Sequence, residues 1–451
     1  MRKQSFIFYI CLLVVVFFQP FYLCAQASQV CSKMPKEWIA AMKDPILDTL
    51  ISYAKINSSN ILQALDNIMQ SKYSLAQARA GFFPSISLNA GWNRGRESSV
   101  LTYSNNASLY ATAQWEIDLF GSIRNKVKSA SDLYKVSIED YKWVMLSLCA
   151  EVAQLYINLR TSQQQLIVDE QNVASQKKIY ELTQARYKAG LASKLDVLQS
   201  GSVLLSTQAA IPLLETKILK NINSITTLLG TDSEKIKNIL NKPSQIPRFI
   251  EFPDTLCMDI PIELIIERPD IKSAEYTVAS YAASLGATKA DWWPKFYFNG
   301  TIGFSNNNFS HFFERDKHIF TINPTISWTI FSGRQLQASS KFARMELDQA
   351  INNYNQAILT AIADIENSFS HYYSYKEQIA LYNKLVLDGR EELKLSVELY
   401  KMGLQNFQTV LDVLRSLLTY ESSLVTAKGN MTSSIIMIYK NLSPNYNHET
   451  R

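Results

Sequence analysis

Few residues in this chain sit at spacings that could support catalysis. There is no glycine-rich phosphate loop, no Gly-x-Ser-x-Gly turn and no His-Glu pairing at metal-ligand spacing. The four histidines are scattered, and His311 and His318 fall in an Asn- and Phe-rich loop that reads as solvent-exposed. Of the five cysteines, Cys11 and Cys24 lie in the N-terminal region, while Cys31, Cys149 and Cys257 form an odd set without short spacings. Neither a disulfide framework nor a metal knuckle is implied. No enzymatic activity and no cofactor are expected. What does recur is a pair of turns, Tyr187-Lys-Ala-Gly190-Leu and Tyr400-Lys-Met-Gly403-Leu. Glycine after a long helical run is the ordinary terminator.

Those turns belong to a duplication. Arg79-Ala-Gly-Phe-Phe-Pro84 returns as Lys289-Ala-Asp-Trp-Trp-Pro294, and Trp115-Glu-Ile-Asp-Leu-Phe120 returns as Ile326-Ser-Trp-Thr-Ile-Phe331. The offsets are 210 (Pro84 to Pro294), 211 (Phe120 to Phe331) and 213 (Gly190 to Gly403), so little is inserted between landmarks. Each copy reads as strand, hairpin loop, strand and a very long helical run that breaks at Gly-Leu and resumes. Such a unit cannot bury its own apolar stripes, and must pack against its duplicate and against other chains.

Glycine (14) and proline (13) are each about 3 % of the 451 residues, below the usual ~7 % and ~5 %, as a mostly helical chain requires. The net charge is only +5 and no basic block stands out, which gives nucleic-acid binding little support. Arg2 and Lys3 precede an apolar run from Phe6 to Phe18 and the small-x-small site Ala25-Gln26-Ala27, so residues 1–27 read as an export signal. Lipidation of Cys24 is the weaker alternative, because Leu23 stands where a lipobox wants a small residue. No other stretch approaches about 18 continuous apolar residues, so no transmembrane helix is expected after the signal.

Residues 36–58 read as a short amphipathic segment, followed by a helix from about Ser59 to Ala80 that must stop before Pro84. Ser85 to Trp92 and Leu109 to Phe120 alternate apolar and polar with a period of two, as do Phe296 to Phe304 and Phe320 to Phe331. Each strand has the length needed to cross a bilayer with tilt. The helical runs, about Gly121 to Tyr187 and Gly333 to Tyr400, carry apolar residues seven apart. They are Met145, Val152, Leu159, Leu166, Val173, Tyr180 and Tyr187, then Ile358, Ile365, Tyr372, Ile379, Val386, Leu393 and Tyr400. A sustained seven-residue period demands left-handed supercoiling against a partner. At 1.5 Å per residue each helix spans roughly 100 Å. The partner helices restart at Leu195 and Val410. A second seam in copy one turns polar (Leu148, Leu155, then Ser162, Asp169, Gln176), which reads as either a water-filled lumen face or a solvated outer face.

A four-stranded sheet of membrane length leaves open edges in lipid, so several chains must close one barrel. Phe82, Phe83, Trp92, Trp292, Trp293 and Phe331 at the strand ends suit interfacial girdles, or else ordinary core packing. The chain resembles the TolC family of outer-membrane efflux channels, in particular its NodT/OprM-like branch. The resemblance covers nearly the whole mature chain through Arg79-Ala-Gly-Phe-Phe-Pro84, Ile260-Pro-Ile-Glu-Leu with Arg268-Pro-Asp-Ile271, Trp293-Pro294, Trp328-Thr-Ile-Phe331-Ser-Gly-Arg334 and the paired turns. It implies a mainly α chain whose coiled-coil helices form a periplasmic tunnel. Four strands per chain would contribute to a trimeric, twelve-stranded barrel in the outer membrane. The organisation expected is a signal (1–27), a first repeat (28–229, hairpin 85–120), an equatorial belt (230–267), a second repeat (268–443, hairpin 295–332) and a tail (444–451).

The function implied is the passive exit duct of a tripartite efflux system and of multidrug resistance. Its expected partners are two further copies, a periplasmic adaptor, an inner-membrane pump of the RND type and outer-membrane lipid. A channel for type I protein secretion is the alternative, and a coiled-coil envelope protein is disfavoured by the hairpins. The resemblance makes Gly190, Leu191, Ala192, Ser193, Gly403, Leu404, Gln405 and Asn406 the tip that meets the adaptor. It makes Asp412 a lining residue of the narrow entrance, with Thr409 where long-channel members often carry a second aspartate. Asp196 and Tyr400 match positions that some members link, together with an arginine, to hold the entrance shut. Here the arginine position is Gln405, so only the Tyr–Asp part of that latch is expected. The plainer alternative for Asp196 is a solvated acid at a helix N-terminus.

Overall fold

The computed structural model of the chain describes residues 44–95, 104–231, 234–241, 265–306 and 318–442. The export signal, Cys24, Cys31, Cys257, His311, most of the equatorial segment and the tail lie outside these residues. A first helix, α1 (Pro45–Asn57), is started by Asp44, whose carboxylate accepts the Ile46 N–H at 2.9 Å, with proline at the first position. The first repeat continues with α2 (Ser59–Ala80), β1 (Ser85–Gly95), β2 (Ser104–Ile117), α3 (Ser122–Lys188) and α4 (Lys194–Leu228). A short helix α5 (Glu234–Asn241) follows. The second repeat is α6 (Pro269–Ala290), β3 (Lys295–Asn306), β4 (His318–Ser327), α7 (Gln335–Lys401) and α8 (Phe407–Asn441).

The duplication holds to the residue in the helices. α2 and α6 have 22 residues each, α3 and α7 have 67, and α4 and α8 have 35. The hairpin partners restart at Lys194 and Phe407, not at Leu195 and Val410, because Ser193 and Asn406 cap the new helices. The second strand of each hairpin ends earlier than its alternation suggests, at Ile117 and Ser327, and Leu119-Phe120 and Ile330-Phe331 lie beyond the sheet. His318 opens β4 rather than lying in the loop.

All four strands form one antiparallel sheet in the order β1-β2-β3-β4. The central pair joins the two repeats, with Ala111 opposite Ile302 and Trp115 opposite Phe298. β1 and β4 are therefore open edges. The alternating apolar residues Ile86, Leu88, Phe320 and Ile322 on those edges are exposed. Phe82, Phe83, Trp92, Trp292, Trp293 and Phe331 are exposed as well, so core packing does not account for them. Phe120 stacks on Trp293 at 5.3 Å, and Trp328 Nε1–H donates to the Trp292 carbonyl at 3.2 Å, linking the sheet base to the helices.

The seven-residue seam is buried where helices meet. Met145, Val152 and Leu159 of α3 pack with Leu47, Leu50, Ile222, Ile225 and Leu240 in the first core cluster. Ile365 and Tyr372 of α7 pack with Ile271, Ile435 and Ile438 in a second. Two of the three polar positions of the second seam of α3 are not wet. Ser162 and Gln176 are buried against α4, where Gln176 Nε2 donates to Thr207 Oγ1 at 3.0 Å, while Asp169 is half-buried. One heptad further on, Thr183 is buried and shares a 2.8 Å hydrogen bond with Ser200. By composition and length alone α4 could cross a membrane. Its hydrogen-bonded seam with α3 makes it a wall of the helical body instead.

At mid-height, Arg268 closes the body. It is buried, donates from Nη1 to the Asn441 carbonyl at 2.9 Å and forms a fork with Asp270 at 3.0 and 2.8 Å. The Arg-Pro-Asp signature thus ties the start of α6 to the last turn of α8.

Candidate functional site: the helical tip

Both long helices end in the same way. Gly190 and Gly403 adopt φ +74° and +76°, a left-handed conformation that favours glycine. The Leu191 N–H returns to the Arg186 carbonyl at 2.8 Å and the Gly190 N–H to Tyr187 at 3.0 Å. In the second copy Leu404 returns to Leu399 and Gly403 to Tyr400, both at 3.0 Å. This double closure satisfies carbonyls that the last turn leaves without donors. The chain then re-enters a helix through a side-chain cap. Ser193 Oγ accepts the Asp196 N–H at 3.2 Å while its hydroxyl donates to Asp196 Oδ1 at 2.7 Å. Asn406 Oδ1 accepts from the Thr409 N–H at 3.1 Å and the Thr409 hydroxyl at 2.9 Å. Leu191 and Leu404 are left exposed at the very end, as are Leu195, Leu198 and Met402.

The two hairpins meet at Tyr400. It is 5 % exposed, packs on Phe407 at 5.2 Å and sits in a cluster with Ile179, Val203, Val410, Leu411 and Leu414. Its hydroxyl donates to Asp196 Oδ2 at 3.2 Å. Burial raises the Tyr400 pKa, the Asp196 charge and hydrogen bond raise it further, and a nearby guanidinium opposes both. That guanidinium is Arg186. Its Cζ lies 4.9 Å from the Tyr400 ring centroid, and Nη1 donates to the Lys401 carbonyl.

Arg186 corrects the expectation that no arginine supports this contact. Gln405 does not supply the charge, but α3 does, from one turn before its own glycine. Gln405 instead has its amide oxygen buried without a donor. The signal for Arg186 was present in the duplication, where Arg186 stands opposite Leu399 in an otherwise matching turn.

Asp412 points away from the packed cluster, with its side chain 59 % exposed. Its Oδ1 accepts from Gln408 Nε2 at 2.9 Å and lies 3.9 Å from Arg415 Nη1. Arg415, which sequence reasoning passed over, sits within reach of the carboxylate expected to line the entrance. Thr409 is occupied with its cap and supplies no second acid.

An open-edged membrane-length sheet, continuous with paired helices joined by a polar contact at their far end, is the architecture of a channel subunit. The outer membrane efflux protein family matches residues 50–231 and 260–442, and the chain belongs to that family. It is 27 % identical over 406 residues to the solvent efflux pump outer membrane protein SrpC of Pseudomonas putida, covering 89 % of this chain and 85 % of that protein. It is 25 % identical over 413 residues to the outer membrane protein OprJ of Pseudomonas aeruginosa, covering 90 % and 85 %. Among solved structures the outer-membrane channel OprN superposes with a TM-score of 0.85 at 26 % identity, covering 91 % of this chain and 93 % of that one. The open-state MtrE channel of Neisseria gonorrhoeae shares the fold, with a TM-score of 0.77 at 21 % identity over 88 % and 89 % of the two chains. The chain is an outer-membrane efflux channel, the exit component of a tripartite system, with its helical tunnel in the periplasm.

Proposed function

We propose that three copies close the sheet into a twelve-stranded barrel and that the duct carries small apolar molecules, solvents or antibiotics, driven by an RND-type pump. The observation that carries this reading is the pair of open edges: the outer sides of β1 and β4 pair with no strand of the described residues, and the apolar residues on both strands are exposed. In lipid, unpaired strand edges are prohibitively costly, and closure by further copies removes them. The likeness to proteins named for solvent, toluene and antibiotic efflux supports the substrate class. The chain acts as a duct and not as an enzyme. The aromatic residues at the strand bases meet lipid headgroups.

At the entrance, Asp412 from each copy forms an acidic ring tempered by Arg415, and the Tyr400–Asp196 contact holds the closed state. The tip leucines Leu191 and Leu404, with Gly190, Ala192, Ser193, Gly403, Gln405 and Asn406, receive the adaptor. The test is accumulation of a fluorescent apolar cation in cells lacking the gene. Accumulation should rise and return to normal on complementation. Unchanged accumulation, together with an unchanged tolerance of toluene, would remove the efflux assignment to this substrate class.

A further inference from the structure

Partway down the helical body each repeat carries an open cleft, and the two clefts occupy equivalent places. The first, of about 840 Å³, lies between α3 and α4 beside the α1–α2 junction at Ser59. The second, of about 330 Å³, lies between α7 and α8. At the offset of 213 residues that relates the repeats, lining positions coincide, among them Glu151 with Asp364, Lys220 with Ser433 and Ser224 with Met437. Glu151 lies 29 residues beyond Ser122, and Asp364 lies 29 beyond Gln335, the first residues of α3 and α7. Both clefts therefore stand at one level, roughly 44 Å from the sheet at 1.5 Å per residue.

The walls are polar and their charges are unspent. Glu151 of α3 and Lys220 of α4 line the same cleft, yet neither side chain has a hydrogen bond or ion pair among the described residues. The amides of Asn60 and Asn223 stand with them, over an apolar floor that includes Leu155 and Leu219. The second cleft keeps the carboxylate, as Asp364, with the amides of Asn367 and Asn430. Its further wall is His371 stacked on Tyr375, with ring centroids 6.1 Å apart and planes inclined by 20°. Such rings give a flat apolar ledge of the kind that a pyranose face covers.

We propose that the paired clefts bind peptidoglycan, through its N-acetylated sugars and the short peptide they bear, and so hold the periplasmic body at the level of the cell wall. The ligand is set by the walls. A stem peptide carries both carboxylate and ammonium groups, which answer Lys220 and Glu151, while the acetamido groups of the sugars answer the asparagine amides. Small apolar molecules in transit would leave these charges without partners. A second copy of this chain is a poor occupant for the same reason, since packing it over the first cleft would strand two charges. The exposed leucines of α4 that another copy could cover, Leu205 and Leu213, lie outside the cleft. The common level is the second argument, because a polymer layer parallel to the membrane meets an upright body at a single height.

The experiment measures retention of the detergent-extracted full-length protein on purified sacculi, with soluble disaccharide tetrapeptide as competitor. The wild type should sediment with sacculi, and the disaccharide tetrapeptide should release it at lower concentration than chitobiose, which lacks the peptide. Glu151→Gln with Lys220→Gln should weaken retention roughly fivefold or more, and Asp364→Asn should weaken it further. Glu215→Gln with Lys217→Gln changes the same charges on the exposed face of α4 outside the cleft, and should leave retention unchanged. Native mass and dye efflux should be those of the wild type in every variant, which keeps this test separate from the efflux reading. Absence of retention, or equal loss in the cleft pair and the control pair, overturns the proposal. Dissociation of the copies by the cleft variants would make a second copy the occupant and overturns it as well.

Discussion

The phenol of Tyr400 and the carboxylate of Asp196 meet at 3.2 Å, although 204 residues separate them in the chain. Their contact joins the end of one long helix to the first turn of the hairpin in the other repeat. Tyr400→Phe removes that bond while keeping the ring in its cluster. One hydrogen bond to a charged group at a half-shielded site is worth on the order of 1 kcal/mol, or about a fivefold rise in the resting open fraction in planar bilayers. Asp196→Ala should have a larger effect because it also removes the acceptor of the Ser193 hydroxyl.

The same bond predicts a pH window. Tyr400 titrates above its ordinary value, first through burial and then through Asp196. A phenol whose pKa is raised in the folded state stabilises that state fully below the unfolded value of about 10, and loses the contribution as pH rises through the folded value. Resting conductance should stay flat from about pH 6 to 9 and rise only beyond about pH 10, whereas Tyr400→Phe should lack the alkaline rise.

Gly190→Pro and Gly403→Pro should abolish efflux and leave assembly intact. Proline holds φ near −65° and has no N–H, while these residues sit at +74° and +76° and donate to Tyr187 and Tyr400. Dye accumulation together with the native mass in detergent separates the two effects. Normal pumping by either variant would show that the tip geometry is not what the adaptor recognises.

Asp412→Asn should reduce cation preference and block by multivalent cations, since a ring of carboxylates concentrates cations in a narrow entrance. Arg415→Gln should do the opposite, because it removes the cation 3.9 Å from that carboxylate. Reversal potentials in a salt gradient measure both. Equal selectivity in the two variants would place the constriction elsewhere.

Asp169 gives a stability prediction away from the tip. Burial raises its pKa, Glu421 raises it further, and the hydrogen bond from Gln165 opposes the shift. The charged form is therefore disfavoured in the folded chain. Asp169→Asn, which still accepts from Gln165, should raise the apparent Tm at pH 7.5. The gain should shrink as pH falls through the folded pKa and vanish below the unfolded value of about 4. An equal gain at all pH values would point to packing instead of charge.

The long helices were legible because a seven-residue period is local and the duplication prints it twice. Met145, Val152 and Leu159, buried together, need no knowledge of the rest of the chain to be placed on one face. Strand ends were less legible, since β2 begins at Ser104 through its pairing with Gly95, a choice made by the partner strand. The polar seam of α3 is partly illegible for the same reason. Ser162 and Gln176 look solvated until α4 supplies Asn221 and Thr207. Arg186 was missed because its partner carbonyl lies 215 residues away, and only comparison of the two turns sets it apart from Leu399.

Native mass spectrometry of the detergent-extracted full-length protein tests the central claim most directly. An open-edged four-stranded sheet cannot stand alone in lipid, so the account predicts a single species of three copies that persists on dilution. A stable monomer retaining its strands would contradict the barrel, and with it the duct that the entrance latch is proposed to close.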